Sequence, residues 1–153
     1  MEQTPTSTAF MSVKGFVTVE VIHDDGATIV EQSNVVTNVG RNQFASLLAE
    51  DISTFPSHLA IGTGSTAATV TDTTLGAEVD RNALSSSSAS AGVVTYKAFF
   101  SKSEANGNTI AEVGLFDAAS SGNMFCRSVL SSTVAKTASV SLSITWTITL
   151  ADA

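Results

Sequence analysis

Ser139-Val-Ser-Leu-Ser-Ile-Thr-Trp-Thr-Ile-Thr-Leu150 places an apolar group at every second position (Val140, Leu142, Ile144, Trp146, Ile148, Leu150) and a hydroxyl at each position between. A period of two puts all the apolar groups on one side of a β-strand, whereas helical geometry would scatter them around a cylinder. The strand therefore has one dry face and one wet face. The wet face is a row of Ser and Thr without charge, a surface suited to packing against a neighbouring chain, which points toward assembly rather than catalysis.

Working outward, the same alternation recurs. Val17, Val19 and Val21 alternate with Thr18, Glu20 and Ile22 up to Asp24-Asp25-Gly26, and Thr28-Ile29-Val30 returns, the pattern of a β-hairpin. Phe44, Leu47 and Leu48 instead recur at three- and four-residue spacing, which predicts one short helix over about residues 38–50. His58-Leu-Ala-Ile61 reads as a short strand ending at Gly62-Thr-Gly64, and further strands are expected over 93–100, 109–116, 124–130 and 139–150. The periodicity of 75–81 fits a helical turn or an irregular edge segment, and Ser85–Gly92 reads as a low-complexity mobile loop. Strands at such regular spacing, with one short helix, predict a mainly β fold: an antiparallel β-sandwich or barrel-like domain. Residues 10–153 are expected to form this single β-rich domain, preceded by a polar N-terminal arm at 1–9.

Composition fits this class and narrows function. The 153 residues suffice for one domain burying roughly two-thirds of its unfolded surface. Hydrophobic residues make up 43% and charged residues 14%, so a packed β-domain is expected rather than a disordered chain. The formal net charge of −7 argues against a nucleic-acid partner, because Lys14, Arg41, Arg81, Lys97, Lys102, Arg127 and Lys136 form no basic cluster. No apolar stretch approaches the ~20 residues needed to cross a bilayer, and the N-terminus lacks the basic start and apolar core of a signal peptide. A soluble protein made in a cytoplasm, with no membrane partner, is expected. The single Cys126 reads as a small buried hydrophobe.

No constellation of catalytic residues is legible. His23 and His58 have no carboxylate or Cys at ligand spacing, so neither a metal site nor a catalytic site is assigned to them. Gly62-Thr63-Gly64 lacks the third glycine, the Lys and the helix start of a phosphate loop and reads as a turn. Asp24-Asp25-Gly26 has too few oxygens for a calcium loop. A non-enzymatic protein without cofactor or metal is the expectation. The informative carboxylate is Glu112, in Thr109-Ile-Ala-Glu-Val-Gly-Leu-Phe116, with Ile110 and Phe116 expected on its face and Ala111, Val113 and Leu115 on the other. A buried acid needs a partner, an Arg or backbone amides, and a structural role is the expected one.

Three ordered stretches carry a resemblance. His58-Leu-Ala-Ile-Gly-Thr-Gly64, Thr74-Leu-Gly-Ala-Glu78-Val-Asp-Arg81-Asn-Ala-Leu-Ser85 and Thr109-Ile-Ala-Glu112-Val-Gly114-Leu-Phe-Asp117 together resemble the N-terminal attachment domain of tail-collar and tail-fibre proteins of tailed bacteriophages, over about residues 58–150. The hairpin and helix before residue 58 depart from that pattern, as does the lack of a shaft after the last strand. The resemblance implies a shaftless structural virion protein on the outer surface of the particle, as a tail or baseplate fibre or adaptor. A capsid decoration (cement) protein on the head is the alternative, and a host-receptor or carbohydrate-binding β-domain is a further one. It also implies a homo-oligomer, with a trimer as the first expectation, other virion structural proteins as partners, and localisation to the virion after synthesis in the host cytoplasm. The acid and base retained by the resembling stretches imply a structural ion pair between Glu112 and Arg81.

Overall fold

The structure, a computed structural model, describes residues 10–51 and 54–152. The expected polar arm at 1–9 lies outside the described residues. Nine strands and one helix follow one another: β1 (Met11–His23), β2 (Gly26–Val36), α1 (Asn38–Leu48), β3 (His58–Gly62), β4 (Glu78–Ala83), β5 (Ser86–Ser90), β6 (Val93–Phe100), β7 (Asn108–Phe116), β8 (Met124–Lys136) and β9 (Ser141–Asp152). The fold is mainly β with one helix, as its periodicities predict. All strands belong to one antiparallel sheet in the order β4-β3-β7-β8-β2-β1-β9-β6-β5, curled into a half-barrel.

Burial of the alternating faces drives the curl. In β9, Leu142, Ile144 and Trp146 are fully buried, and they meet Val17, Val19 and Val21 of the neighbouring β1. Leu59, Ile61, Val113, Leu115 and Phe125 complete the core from the other half of the sheet. The two ends of the sheet are drawn toward each other: Asn82 on β4 donates through Nδ2 to the Phe99 carbonyl on β6 (2.8 Å) and to Glu104 Oε1 (2.9 Å). The β1–β2 hairpin closes through a two-residue loop, with His23 opposite Gly26.

The structure revises two expectations and settles a third. Ser86–Ser90, within the stretch read as a mobile loop, is an edge strand paired to β6. Of the two readings of 75–81, the edge segment holds and the helical turn does not: Glu78–Ala83 is the edge strand β4, with a register shift against β3. Ile110 does not share a face with Glu112: the pairing of β7 with β8 shifts register between them, and Ile110 joins Val113 and Leu115 in the main core.

The helix forms because Thr37 caps it. Its buried hydroxyl accepts from the Gly40 amide (2.9 Å) and donates to the Met124 carbonyl (2.6 Å), so the cap both starts the helix and ties it to β8. Phe44 then meets Phe125 edge-on at 5.0 Å between ring centroids. α1 is held to β8 through Thr37, Gly40 and Phe44, with Leu48 at its far end exposed. Among the described residues no helix is long and apolar enough to cross a membrane.

Candidate functional site: a buried carboxylate node

Strand β7 carries Glu112 into the interior, where it is fully buried. Both carboxylate oxygens are occupied. Oε1 accepts from the backbone amides of Gly64 (3.0 Å) and Ala77 (2.7 Å), and Oε2 accepts from the Gly76 amide (2.9 Å) and from Arg127 Nε (2.9 Å). Arg127 lies on β8, opposite Gly114 in the β7–β8 register and so one diagonal step from Glu112. Its side chain is 3% exposed. The other two guanidinium nitrogens also have partners: Nη1 reaches Asp72 Oδ2 (2.9 Å) and Nη2 reaches the Thr66 carbonyl (2.9 Å). Asp72 is fixed in turn by Thr69, whose amide and hydroxyl both donate to it (2.9 Å each).

The result is a loop-holding device. Residues 63–77 form no helix or strand, yet three of their amides, one carbonyl and one carboxylate terminate on the Glu112–Arg127 pair. Gly64 permits the approach, since a Cβ there would lie 2.5 Å from Glu112 Oε1. The Gly62-Thr63-Gly64 stretch is thus an amide donor to an internal carboxylate, its glycine needed for a close approach within the chain itself.

Glu112 is an ion-pair partner, as the resemblance implies, but Arg81 is not its base. Arg81 binds Glu78 three residues earlier (2.6 Å), donates through Nη1 to the Ala118 and Ser121 carbonyls (2.9 Å each), and stacks on the Phe116 ring at 3.7 Å. On β4, Arg81 pairs with Ala60 of β3, a full strand away from β7, so it reaches the turn beyond β7 rather than the carboxylate within it. Reading the sequence alone misses Arg127. The signal was nonetheless present: a cation inside the apolar run Met124-Phe-Cys-Arg-Ser-Val-Leu130 is as anomalous as the acid in β7.

Burial alone would raise the carboxyl of Glu112, but the Ala77 and Gly76 amides, with Arg127, outweigh it and hold the group below its ordinary value. Asp72 follows the same pattern: burial opposes ionisation, while Thr69 and Arg127 overcome it. Carboxyls depressed in the folded state contribute stability above their unfolded pKa, near 4, and lose it as pH falls through the lower folded value. Stability should therefore be level above about pH 6 and decline below about pH 5. Urea midpoints measured across that range check this, and the decline should be shallower in a Glu112→Gln variant.

Elsewhere, Cys126 is buried and its thiol is pushed up by that burial. His58 shares a hydrogen bond with its neighbour Ser57 (2.8 Å). Lys136 is buried at the end of β8, its Nζ donating to Asn106 Oδ1 (2.9 Å) and the Thr137 carbonyl (3.2 Å). Among the described residues no group of three His, Cys, Asp or Glu side chains is arranged to hold a metal ion. The protein is defined at this level as an antiparallel half-barrel pinned by an internal Glu–Arg node. No family model matches the chain, and no curated protein or solved structure is significantly similar to it.

Proposed function

We propose that this chain is a non-enzymatic structural protein of a tailed-bacteriophage virion, an oligomeric module on the outer surface of the particle at the tail or baseplate. One observation supports this above the others: the three stretches that carry the resemblance to tail-collar and tail-fibre attachment domains are joined in space. Gly64 of the first and Gly76 and Ala77 of the second donate to Glu112 of the third. Arg81 of the second then clasps the turn that follows the third, at Ala118 and Ser121. Residues about 50 positions apart serve one purpose, holding a loop and three strands rigid, and their polar atoms are turned inward rather than offered to a substrate. Such a construction suits a part that docks and endures.

Gold-labelled antibody against the chain, viewed on intact particles by electron microscopy, tests the proposal. Label on the tail or baseplate is expected. Label on the head would replace this placement with capsid decoration, and absence from particles would overturn the virion reading altogether. Self-association belongs to the proposed function, with a trimer the expected state by light scattering. The polar sequence of residues 1–9, Met-Glu-Gln-Thr-Pro-Thr-Ser-Thr-Ala, suits a docking arm rather than a core element. Its deletion should leave the unfolding temperature unchanged and lower incorporation into particles that lack the protein, whereas unchanged incorporation would refute that role.

A further inference from the structure

Lys136 ends β8 with only 1% of its surface exposed, yet among the described residues no carboxylate pairs with it. A buried cation without a counter-ion is costly. Glu104 and Asp80 act on it only from a distance: Glu104 is held by the Ser101 amide (2.6 Å) and Asn82 Nδ2 (2.9 Å), and Asp80 by the Arg81 amide (2.9 Å). Burial draws the amine below its ordinary value despite both. Two neutral oxygens receive Nζ instead, the Thr137 carbonyl at 3.2 Å and the side-chain oxygen of Asn106, Oδ1, at 2.9 Å.

Asn106 is the one asparagine of this chain that precedes a glycine. The order matters chemically, because the backbone nitrogen of the following residue can close on the carboxamide carbon, and glycine brings no side chain into its way. The turn leaves that approach open: Asn106 is exposed, Gly107 has a φ of 85°, and even a Cβ at Gly107 would meet nothing within 4 Å. The carboxamide is also held by both its ends. Nδ2 donates to the Lys102 carbonyl (2.7 Å), so the oxygen rather than the nitrogen faces Lys136. A cation on Oδ1 draws electron density from Cγ and steadies the negative charge that attack places on the oxygen. The Gly107 N–H donates to the Lys136 carbonyl (2.9 Å), and this bond must open before the nitrogen can attack, which makes the change slow.

We propose that Asn106 is a self-modifying site, converted within the folded chain to a carboxylate that becomes the missing counter-ion of Lys136. The Gly107 nitrogen bonds to Cγ, and Nδ2 departs as ammonia with the proton that nitrogen gives up. Water then opens the cyclic imide. Attack of water at Cγ leaves aspartate at 106, with an oxygen where Oδ1 stood, whereas attack at the backbone carbonyl leaves isoaspartate. Lys136 favours aspartate, since that product keeps a carboxylate at the position Nζ already contacts. In sum, one carboxamide and one water become one carboxylate and one ammonium ion, and the chain becomes one unit more negative than its formal −7.

Peptide mapping by mass spectrometry of the full chain, fresh and after about two weeks at mildly alkaline pH, tests this. Conversion is expected at Asn106 and not at Asn34, Asn82 or Asn123, with aspartate exceeding isoaspartate. Lys136→Met should convert at least about fivefold more slowly and lose the excess of aspartate. It has no ion pair to lose and should fold, as circular dichroism will verify. Asn106→Asp, which installs the product directly, should raise the unfolding temperature by about 2–4 °C, and should not do so in Lys136→Met. An Asn106 that stays unconverted would overturn the self-modification, and an Asn106→Asp protein no more stable than its parent would overturn the counter-ion role. A loss of ammonia with the Asn106 and Lys136 peptides joined would mean that Nζ itself had attacked Cγ, replacing the carboxylate with a cross-link.

Discussion

Glu112→Gln is expected to lower the stability of the fold by about 3 kcal/mol or more, which for a domain of this size corresponds to a fall of about 6–12 °C in unfolding temperature. The amide cannot satisfy four donors. Its oxygen can serve two of the amides from Gly64, Gly76 and Ala77, but its own NH2 group then faces the remaining amide and Arg127 Nε. Arg127→Ala should cost a comparable amount, because it leaves Glu112 buried and ionised with only backbone donors and frees Asp72 and the Thr66 carbonyl. Each single change leaves the other partner's charge buried with fewer groups around it, Asp72 alone of the carboxylates for Arg127 and backbone amides alone for Glu112. The double variant Glu112→Gln/Arg127→Ala should therefore lose distinctly less than the sum of the two. Urea unfolding of the four proteins measures the coupling, and additive losses would show that the pair is not the unit described above. Arg81→Ala serves as a contrast: Arg81 makes no bond to Glu112 or Arg127, so its loss should simply add to that of Glu112→Gln.

Gly40→Ala should be nearly as damaging, although alanine is the better helix former by about 1 kcal/mol. Gly40 is the buried residue of α1 and lies flat against β8, where a Cβ would stand 2.7 Å from the Phe125 Cα and 2.8 Å from its carbonyl carbon. Backbone cannot yield as a side-chain tip does. The helix must lift, losing the Thr37 hydroxyl bond to Met124 and the Phe44–Phe125 contact. A net loss of about 2–3 kcal/mol is expected, in the range of an overpacked core. Urea unfolding measures the loss, and near-ultraviolet circular dichroism registers the displaced Phe44–Phe125 pair.

The alternation of β9 and β1, the three- and four-residue spacing of Phe44, Leu47 and Leu48, and the buried acid at 112 were all legible in the sequence, because each is a local pattern with a single physical cause. Arg127 was not. Pairing Glu112 with a base requires the register of β7 against β8, and register is a relation between strands that neither strand states alone. Nor does the serine run at 86–90 declare itself a strand: its own preferences favour a loop, and its pairing with Lys97–Val93 of β6 supplies the structure. The apolar hollow of about 740 Å³ between α1 and the sheet is further still from the sequence, since it is assembled from β1, α1, β5, β6 and β9, with no contiguous stretch to mark it.

The pairing of β1 with β9, from Met11 opposite Asp152 to Ile22 opposite Ser141, bears on how the chain is made. These strands lie inside the sheet, with β2 and β6 on their outer flanks. During synthesis the β1–β2 hairpin emerges first, and its open side, lined by Val17, Val19 and Val21, must wait through more than a hundred residues of translation for its neighbour. Until then it is a sticky, half-finished ribbon. Closing so long a loop is slow, placing folding with the millisecond-to-second β-rich domains. Crowded ribosomes making many copies at once would bring such ribbons together before their rightful partner exists. Yield of the folded protein should therefore depend on expression temperature and on chaperone supply more steeply than its finished stability would suggest.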